Sequence, residues 1–146
     1  MPEQSRLPET MGVPAVRLLQ FPLIAEQRGS LSYGQYDEHL PFVPIRYFVV
    51  FDVPADEVRG NHAHRRVSQV LVCVKGSCLV TIDDGRSRDS VVLDSPARGV
   101  SIPPLVWATQ QKFSREAVLL VLSSEGYEPD EYIRDYEEFK RIVEQV

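Results

Sequence analysis

The chain of 146 residues suits one domain, and its hydrophobic fraction of 43% is enough for a real core. With 21 acidic and 16 basic residues, its formal net charge is -5, which excludes the dense basic face of a nucleic-acid-binding protein. No apolar run approaches the roughly 20 residues that cross a bilayer, so we expect no membrane partner either.

The chain begins with polar residues and three prolines, and we expect residues 1–14 to be a flexible leader. This stretch has no apolar centre, which excludes a secretion signal. The two cysteines, Cys73 and Cys78, flank a predicted tight turn. In a chain without a secretion signal, reduced and buried thiols are favoured over a disulfide, and we expect a cytoplasmic protein.

Short apolar stretches separated by turn residues follow, which is typical of a β-sandwich or barrel. Lys75-Gly76-Ser77 is a hairpin signal, and Asp84-Gly85 predicts a second turn. We therefore predict a single all-β domain over residues 15–146. Its predicted strands are 15–21, 29–36, 45–51, 69–74, 78–83, 90–93, 99–102 and 117–123.

The pattern changes to helical spacing near the end of the chain. Pro129, followed by two acidic residues, is a suitable helix start. We predict a helix over 129–145 that packs on the outside of the barrel. Its apolar stripe consists of Ile133, Tyr136, Phe139, Ile142 and Val143.

The segment 60–76, GNHAHRRVSQVLVCVKG, contains two of the three histidines in the chain. Side chains two positions apart on a strand share one face, so His62 and His64 project together. Imidazole titrates near neutral pH, and a pair on an interior face favours proton transfer over a purely structural role.

This spacing resembles the first cupin motif, HxH–x3–4–E–x6–G, with Gln69 in the place of a metal-binding glutamate. Ala108, five residues after Pro103, stands where the second cupin motif has a further histidine. A divalent metal usually requires three or four protein ligands. We therefore expect no metal, and a metal-dependent cupin oxygenase or isomerase is the alternative.

Further blocks resemble the WxcM-like sugar 3,4-ketoisomerases of the cupin superfamily, which act on dTDP-4-keto-6-deoxyglucose. The matching blocks are RGSL at 28–31, RGNHAH at 59–64, QVLVCVKGSC at 69–78, DDG at 83–85, LDSP at 93–96 and DEYIRDYEEFK at 130–140.

The resemblance implies a cupin jelly-roll β-barrel with a short C-terminal helix and no nicotinamide or other cofactor. It also implies a homodimer with exchanged N-terminal strands and a dTDP-linked keto-deoxysugar as the bound partner. It places His62 and His64 at the sugar, with Arg46 facing the ligand. The chain departs from some relatives at Ala108, which replaces a histidine, and in the strand Tyr47–Val50, where some relatives have tyrosines and this chain has YFVV. The configuration at C4 of the product is therefore open.

Moving a carbonyl from C4 to C3 requires loss of the C3 proton, an enediol, and protonation at C4. We expect His64 to be the base and His62 the proton relay, an order that the sequence leaves open. Arg46 is our candidate for holding the developing negative charge.

Other residues are predicted to bind the substrate. They are Arg28 and Arg59 for the diphosphate, Gln69 for sugar hydroxyls, Trp107 as a wall of the pocket, and Tyr33 or Tyr36 for the base. Two alternative functions stay open: a keto-sugar nucleotide epimerase, and a non-catalytic cupin module that binds a nucleotide sugar.

Overall fold

Two antiparallel sheets that pack face to face account for most of the chain. The computed structural model describes residues 9–146. Its elements are β1 (Glu9–Thr10), β2 (Arg17–Gln20), β3 (Leu23–Glu26), β4 (Gly29–Ser32), β5 (Arg46–Phe51), β6 (Arg59–His64), β7 (Gln69–Lys75), β8 (Cys78–Asp83), β9 (Arg88–Leu93), β10 (Arg98–Ile102), β11 (Trp107–Gln111), β12 (Val118–Ser123), β13 (Tyr132–Ile133) and α1 (Tyr136–Glu144).

The first sheet has the strand order β1-β2-β10-β7-β12-β5, and the second has the order β13-β6-β11-β8-β9. Among the described residues, strands β3 and β4 pair only with each other and form a separate ribbon. Alternate side chains of both sheets face inward, because successive residues of a strand point to opposite sides. They form the main core, which includes Leu71, Val80, Ile82, Leu119 and Val121. The all-β prediction is confirmed.

The helix α1 packs on the outer face of the second sheet, as predicted. Phe139 is fully buried there, in a cluster with Ala63, Trp107 and Ile133. The side chain of Asp135 caps the helix by accepting a hydrogen bond of 3.0 Å from the backbone nitrogen of Glu137. No helix within residues 9–146 has the length and apolarity needed to cross a bilayer.

The predicted helix start at residue 129 is wrong. Pro129–Glu131 is a single 3-10 turn, and β13 then pairs with β6 before the helix begins at Tyr136. The carboxylate of Glu131 is 1% exposed and accepts hydrogen bonds from the backbone nitrogens of Arg66 and Val67. These contacts hold the segment extended against the sheet and override its helical spacing.

The predicted flexible leader is wrong from Glu9 onward, and its first eight residues lie outside the described part. Strand β1 pairs with β2. The backbone nitrogen of Gly12 donates to the carboxylate of Asp89 at 2.9 Å, and Val13 is fully buried. The end of the leader therefore belongs to the first sheet and its core.

The hairpin predicted at Lys75-Gly76-Ser77 is also wrong, because β7 and β8 belong to different sheets. The turn carries the chain across the core from one sheet to the other. Cys73 and Cys78, on either side of it, are free and buried, as predicted. By contrast, the turn predicted at Asp84-Gly85 does join a pair of neighbouring strands, β8 and β9.

Candidate active site

A cavity of about 400 Å³ lies between the two sheets, beside β6. Its apolar part is formed by Val50, Leu71 and Val121, which also belong to the main core. Most of the remaining wall is polar or aromatic, so the cavity combines an apolar base with hydrogen-bonding groups, as small-molecule sites do. These residues are Phe48, Arg59, His62, Gln69, Gln110, Tyr127, Tyr132 and Arg134.

His62 lines this cavity, and His64 packs beside it. Their ring centroids are 4.9 Å apart and the ring planes are almost perpendicular, at 86°. Tyr132 packs against both rings, with centroid distances of 4.9 Å to His62 and 4.6 Å to His64. Ala63, between them in sequence, faces the other way into the cluster beneath α1. The predicted shared face is confirmed.

The hydrogen bonds of the two imidazoles differ. Nδ1 of His62 lies 2.9 Å from the backbone carbonyl of Gly60. A carbonyl only accepts, so Nδ1 carries the hydrogen, and Nε2 of a neutral ring has a free lone pair. Both ring nitrogens of His64 are buried and have no hydrogen-bond partner among residues 9–146. Buried polar atoms are normally paired, so the unpaired nitrogens of His64 call for a functional explanation.

Both histidines are neutral at neutral pH. Burial lowers the pKa of His62. The hydrogen bond that its ring donates to the carbonyl of Gly60 opposes this shift, and the charge of Arg134 adds to it. Burial, followed by the proximity of His62, lowers the pKa of His64 to about 4. The carboxylate of Glu131 opposes that shift only in part.

Arg46 begins β5 behind the aromatic wall of the cavity. Its guanidinium lies 5.2 Å from the centre of the Phe48 ring and 5.5 Å from that of Tyr127. Its Nε is buried without a hydrogen-bond partner among the described residues, and its charge lowers the pKa of His64. Arg46 therefore places an uncompensated positive charge close to the histidine pair.

Gln69 and Ala108 occupy the two positions at which cupin metal ligands were missing from the sequence. Gln69 lines the cavity, and its amide donates to the hydroxyl of Ser123 at 3.4 Å. Ala108 pairs with His62 across β6 and β11, so its methyl group points to the same side as the imidazole. Among residues 9–146, no group of three or more His, Cys, Asp and Glu side chains has the arrangement of a metal site.

Comparison with known proteins identifies the family of this chain. A family model described as FdtA, WxcM-like, C-terminal matches residues 14–144. The chain belongs to the WxcM-like family. A relative of this WxcM-like chain, the TDP-4-oxo-6-deoxy-alpha-D-glucose-3,4-oxoisomerase of Aneurinibacillus thermoaerophilus, is 39% identical over 130 residues, which are 89% of this chain and 94% of the relative.

Two solved structures are similar to the WxcM-like chain over most of its length. A 3,4-ketoisomerase from Helicobacter canadensis has 39% identity and a TM-score of 0.85, over 88% of this chain and 97% of its own. A histidine-to-asparagine variant of a 3,4-ketoisomerase from Thermoanaerobacterium thermosaccharolyticum, in complex with TDP-4-keto-6-deoxyglucose, has 32% identity and a TM-score of 0.86, over 89% and 94%. The predicted family and cupin jelly-roll class are confirmed.

Trp107 does not line the histidine cavity of the WxcM-like chain, which corrects its predicted place. Because Ala108 faces inward opposite His62, strand alternation turns Trp107 to the outer face. There its ring packs near Tyr136 and Phe139, with centroids 5.3 and 5.6 Å away. It borders a different groove, on the far side of the sheet.

Arg28 and Tyr33 also lie apart from the cavity within one chain. The side chain of Arg28 is 91% exposed, and its only ion pair, among residues 9–146, is with Glu26 at 3.6 Å. Tyr33 borders a separate hollow, which includes Phe21 and Leu40. The single chain thus brings together Arg59, Gln69 and the two histidines, with Arg46 close by. Arg28 and Tyr33 remain outside this group.

Tyr132 and Arg134 are cavity residues that our sequence analysis missed. The guanidinium of Arg134 lies 4.4 Å from the centre of the Tyr132 ring, and both line the cavity. Ile133 between them is fully buried on the other side. The alternation Tyr-Ile-Arg was a usable signal of a short strand, but the helical spacing that continues beyond it concealed this signal.

Proposed function

We propose that this protein is a sugar-nucleotide 3,4-ketoisomerase that converts TDP-4-keto-6-deoxyglucose into the 3-keto-6-deoxyhexose. The observation that carries this proposal is a pair of neutral imidazoles, of which His62 lines the cavity and His64 packs against it. His62 has a basic nitrogen with a free lone pair, and both ring nitrogens of His64 have no hydrogen-bond partner among residues 9–146. The relatives that are up to 39% identical to this chain are named as 3,4-ketoisomerases or 3,4-oxoisomerases.

In this mechanism, Nε2 of His62 removes the proton from C3. We revise our sequence-based order, which had His64 as the base, because Gly60 fixes the hydrogen of His62 on Nδ1 and His62 lines the cavity. The C4 oxygen gains a proton and the enediol forms. Loss of the O3 proton and protonation of C4 then give the 3-keto sugar, so that one proton has moved between carbons and one between oxygens.

His64 is suited to the transfer between the oxygens. Its two nitrogens have no protein partner, so one accepts a proton while the other is free to donate. Its pKa of about 4 keeps the His64 imidazole neutral in the free enzyme. The negative diphosphate of a bound substrate raises that pKa by offsetting nearby cations. The positive charge of Arg46 stabilises the enediolate character of the transition state.

The polar residues of the cavity wall hold the substrate. We assign the diphosphate to Arg59 and Arg134, because both are cavity cations and a guanidinium matches phosphate oxygens with paired donors. Gln69 has donors and an acceptor for sugar hydroxyls. No step of this mechanism uses a metal or a nicotinamide.

We further propose that the protein is a homodimer that exchanges its N-terminal strands. The β3–β4 ribbon has no pairing partner in the described chain, and its Leu23, Ile24 and Leu31 are exposed. Strand β5 lies at the edge of the first sheet, with Phe51 exposed. Exchange would bury these apolar groups and bring Arg28 and Tyr33 to the partner subunit's cavity. The free thiols of the core are consistent with a reducing cytoplasm.

Mixing two damaged variants tests the exchange. A dimer of one Arg28→Ala copy and one His62→Asn copy contains one intact cavity if Arg28 acts across the interface. We expect the mixture, after unfolding and refolding together, to regain activity that neither variant has alone. Additive activities, or a monomer by sedimentation equilibrium, would contradict the exchange.

The activity itself is tested by NMR of the product formed from TDP-4-keto-6-deoxyglucose in heavy water. We expect a 3-keto product, with deuterium at C4 in those turnovers in which the proton held by His62 exchanges with solvent before it reaches C4. His62→Asn and His64→Asn should each lower kcat by about a hundred-fold or more, since positioned acid–base groups contribute that much. His39→Asn is the matched control, because His39 lies in the loop after the ribbon and contacts Tyr33. A product that keeps its ketone at C4 with inverted configuration would indicate an epimerase, and binding without turnover a non-catalytic module.

A further inference from the structure

Strand β6 contains an irregular step immediately before His62. Gly60 and Asn61 have φ angles of 77° and 61°, both in the left-handed region. Opposite them on β11, Ala108 pairs with His62 and Thr109 pairs with Gly60, so Asn61 is an extra residue. This is a β-bulge, a feature that reorients the side chains of a strand.

The bulge creates the hydrogen bond that defines the protonation of His62. In a regular strand, backbone carbonyls point along the sheet towards neighbouring strands. The left-handed step turns the carbonyl of Gly60 towards the ring two residues later, and it accepts from Nδ1 at 2.9 Å. A neutral ring without this acceptor could carry its hydrogen on either nitrogen.

Two different features hold the bulge in place. At Gly60, an added Cβ would lie 2.8 Å from the side-chain oxygen of Gln110 and 3.1 Å from the carbonyl of Ala108, so the position requires glycine. At Asn61, the side-chain oxygen accepts a hydrogen bond of 3.3 Å from the indole nitrogen of Trp107. Asparagine is among the few residues that tolerate a left-handed backbone.

Trp107 fixes this contact to the rigid outer face of the sheet. It is buried in the cluster formed by Ala63, Ile133 and Phe139 beneath α1. The chain of contacts therefore runs from the packed helix through the indole to Asn61, and then through the backbone to the imidazole. Asn61 itself faces away from the histidine cavity and lines the outer groove.

We propose that Asn61, held by Trp107, is a positioning residue that sets the tautomer and orientation of His62. This inference rests on the proposed ketoisomerase activity for its kinetic consequence only. Asn61 does not touch the substrate. It keeps the hydrogen on Nδ1 and leaves Nε2 as the basic nitrogen at the cavity.

The test compares Asn61→Val with Asn61→Gly. Valine removes the acceptor and resists a positive φ, whereas glycine loses the acceptor and adopts the left-handed backbone freely. The control is Lys112→Val, which places the same β-branched side chain at another left-handed position, with φ of 53°, in the exposed turn after β11. Trp107→Phe removes the indole donor while keeping an aromatic ring in the cluster.

The first readout is the ¹⁵N NMR spectrum of the His62 ring in the absence of substrate, which distinguishes the two neutral tautomers. We expect only the Nδ1–H form in the wild type, in Lys112→Val and in Asn61→Gly. Asn61→Val should show a mixture of the two forms, and Trp107→Phe a smaller shift in the same direction. Because no turnover is needed, this readout stands even if the protein acts on a different sugar.

The second readout is the split between kcat and KM. We expect Asn61→Val to lower kcat about ten-fold. This factor corresponds to the free energy that a residue other than glycine loses when it adopts the left-handed backbone, about 1–2 kcal/mol. KM should change little, because Asn61 makes no contact with the cavity. Asn61→Gly should recover most of kcat, and Lys112→Val should lower thermal stability without lowering kcat. A single Nδ1–H tautomer in Asn61→Val with wild-type kcat, or an equal loss of kcat in Lys112→Val, would overturn the proposal.

Discussion

Acidification below neutral pH should destabilise the fold through His64, in addition to any effect on catalysis. The pKa of His64 is about 4 in the folded chain, against 6.5 for an unperturbed histidine. Between these values the unfolded state binds more protons than the folded state. Stability therefore rises with pH in this window and is lost as the pH falls from about 6.5 to about 4.

The magnitude follows from the size of the window. At about 1.4 kcal/mol for each pH unit, the lowered pKa of His64 corresponds to about 3 kcal/mol at most. Solvent screening removes part of this, which leaves about 2 kcal/mol. That is a large share of the stability of a typical domain, which is about 5–15 kcal/mol.

Urea unfolding at a series of pH values and one fixed protein concentration measures this loss. Carboxylates also titrate in the lower part of the window, so the comparison is between the wild type and His64→Asn. We expect the difference in the free energy of unfolding to shift by about 2 kcal/mol between about pH 7 and about pH 4. His39→Asn should follow the wild type. Parallel curves for the wild type and His64→Asn would show that His64 titrates normally and that its burial has no electrostatic cost.

Two further substitutions test the wall of the site. Glu131→Gln should lower the free energy of unfolding by about 2 kcal/mol, because it removes a buried charge that binds two backbone nitrogens and Arg66. Its control is Glu138→Gln, which removes an ion pair at the surface and should change the free energy of unfolding by about 0.5 kcal/mol or less. Arg134→Gln should raise KM about ten-fold, as expected for a lost charged hydrogen bond, with the exposed Arg141→Gln as control. Since Arg134 lowers the pKa of both cavity histidines, its removal should also move the acid limb of the kcat/KM profile to higher pH, and an unchanged limb would contradict the placement of its charge.

The sequence predicted those features that depend on local pattern. Strand alternation placed His62 and His64 on one face. Strand β11 escaped prediction because its residues, WATQQ, are mostly polar on the outer face and do not form an apolar run. Without β11 as a strand, the outward direction of Trp107 was not evident.

Features that depend on which strands become neighbours could not be predicted from the local sequence pattern. The turn at Gly76 has the residues of a hairpin, but whether its strands pair or cross the core is decided by the competing partners of β7 and β8. The segment around Tyr132 has helical spacing and strand alternation at once. Burial of Glu131 beneath the turn after His64 decides between them, and that contact joins residues far apart in the chain.

The short strand β13 also sets the order in which the site is completed during synthesis. His62 and His64 leave the ribosome early, whereas Tyr132 and Arg134, which close the cavity around them, are made after every other strand. A nascent chain therefore exposes two uncovered imidazoles and an open sheet edge until β13 docks onto β6. The wall of the cavity is therefore complete only after the last strand of the chain has been made and has paired with β6.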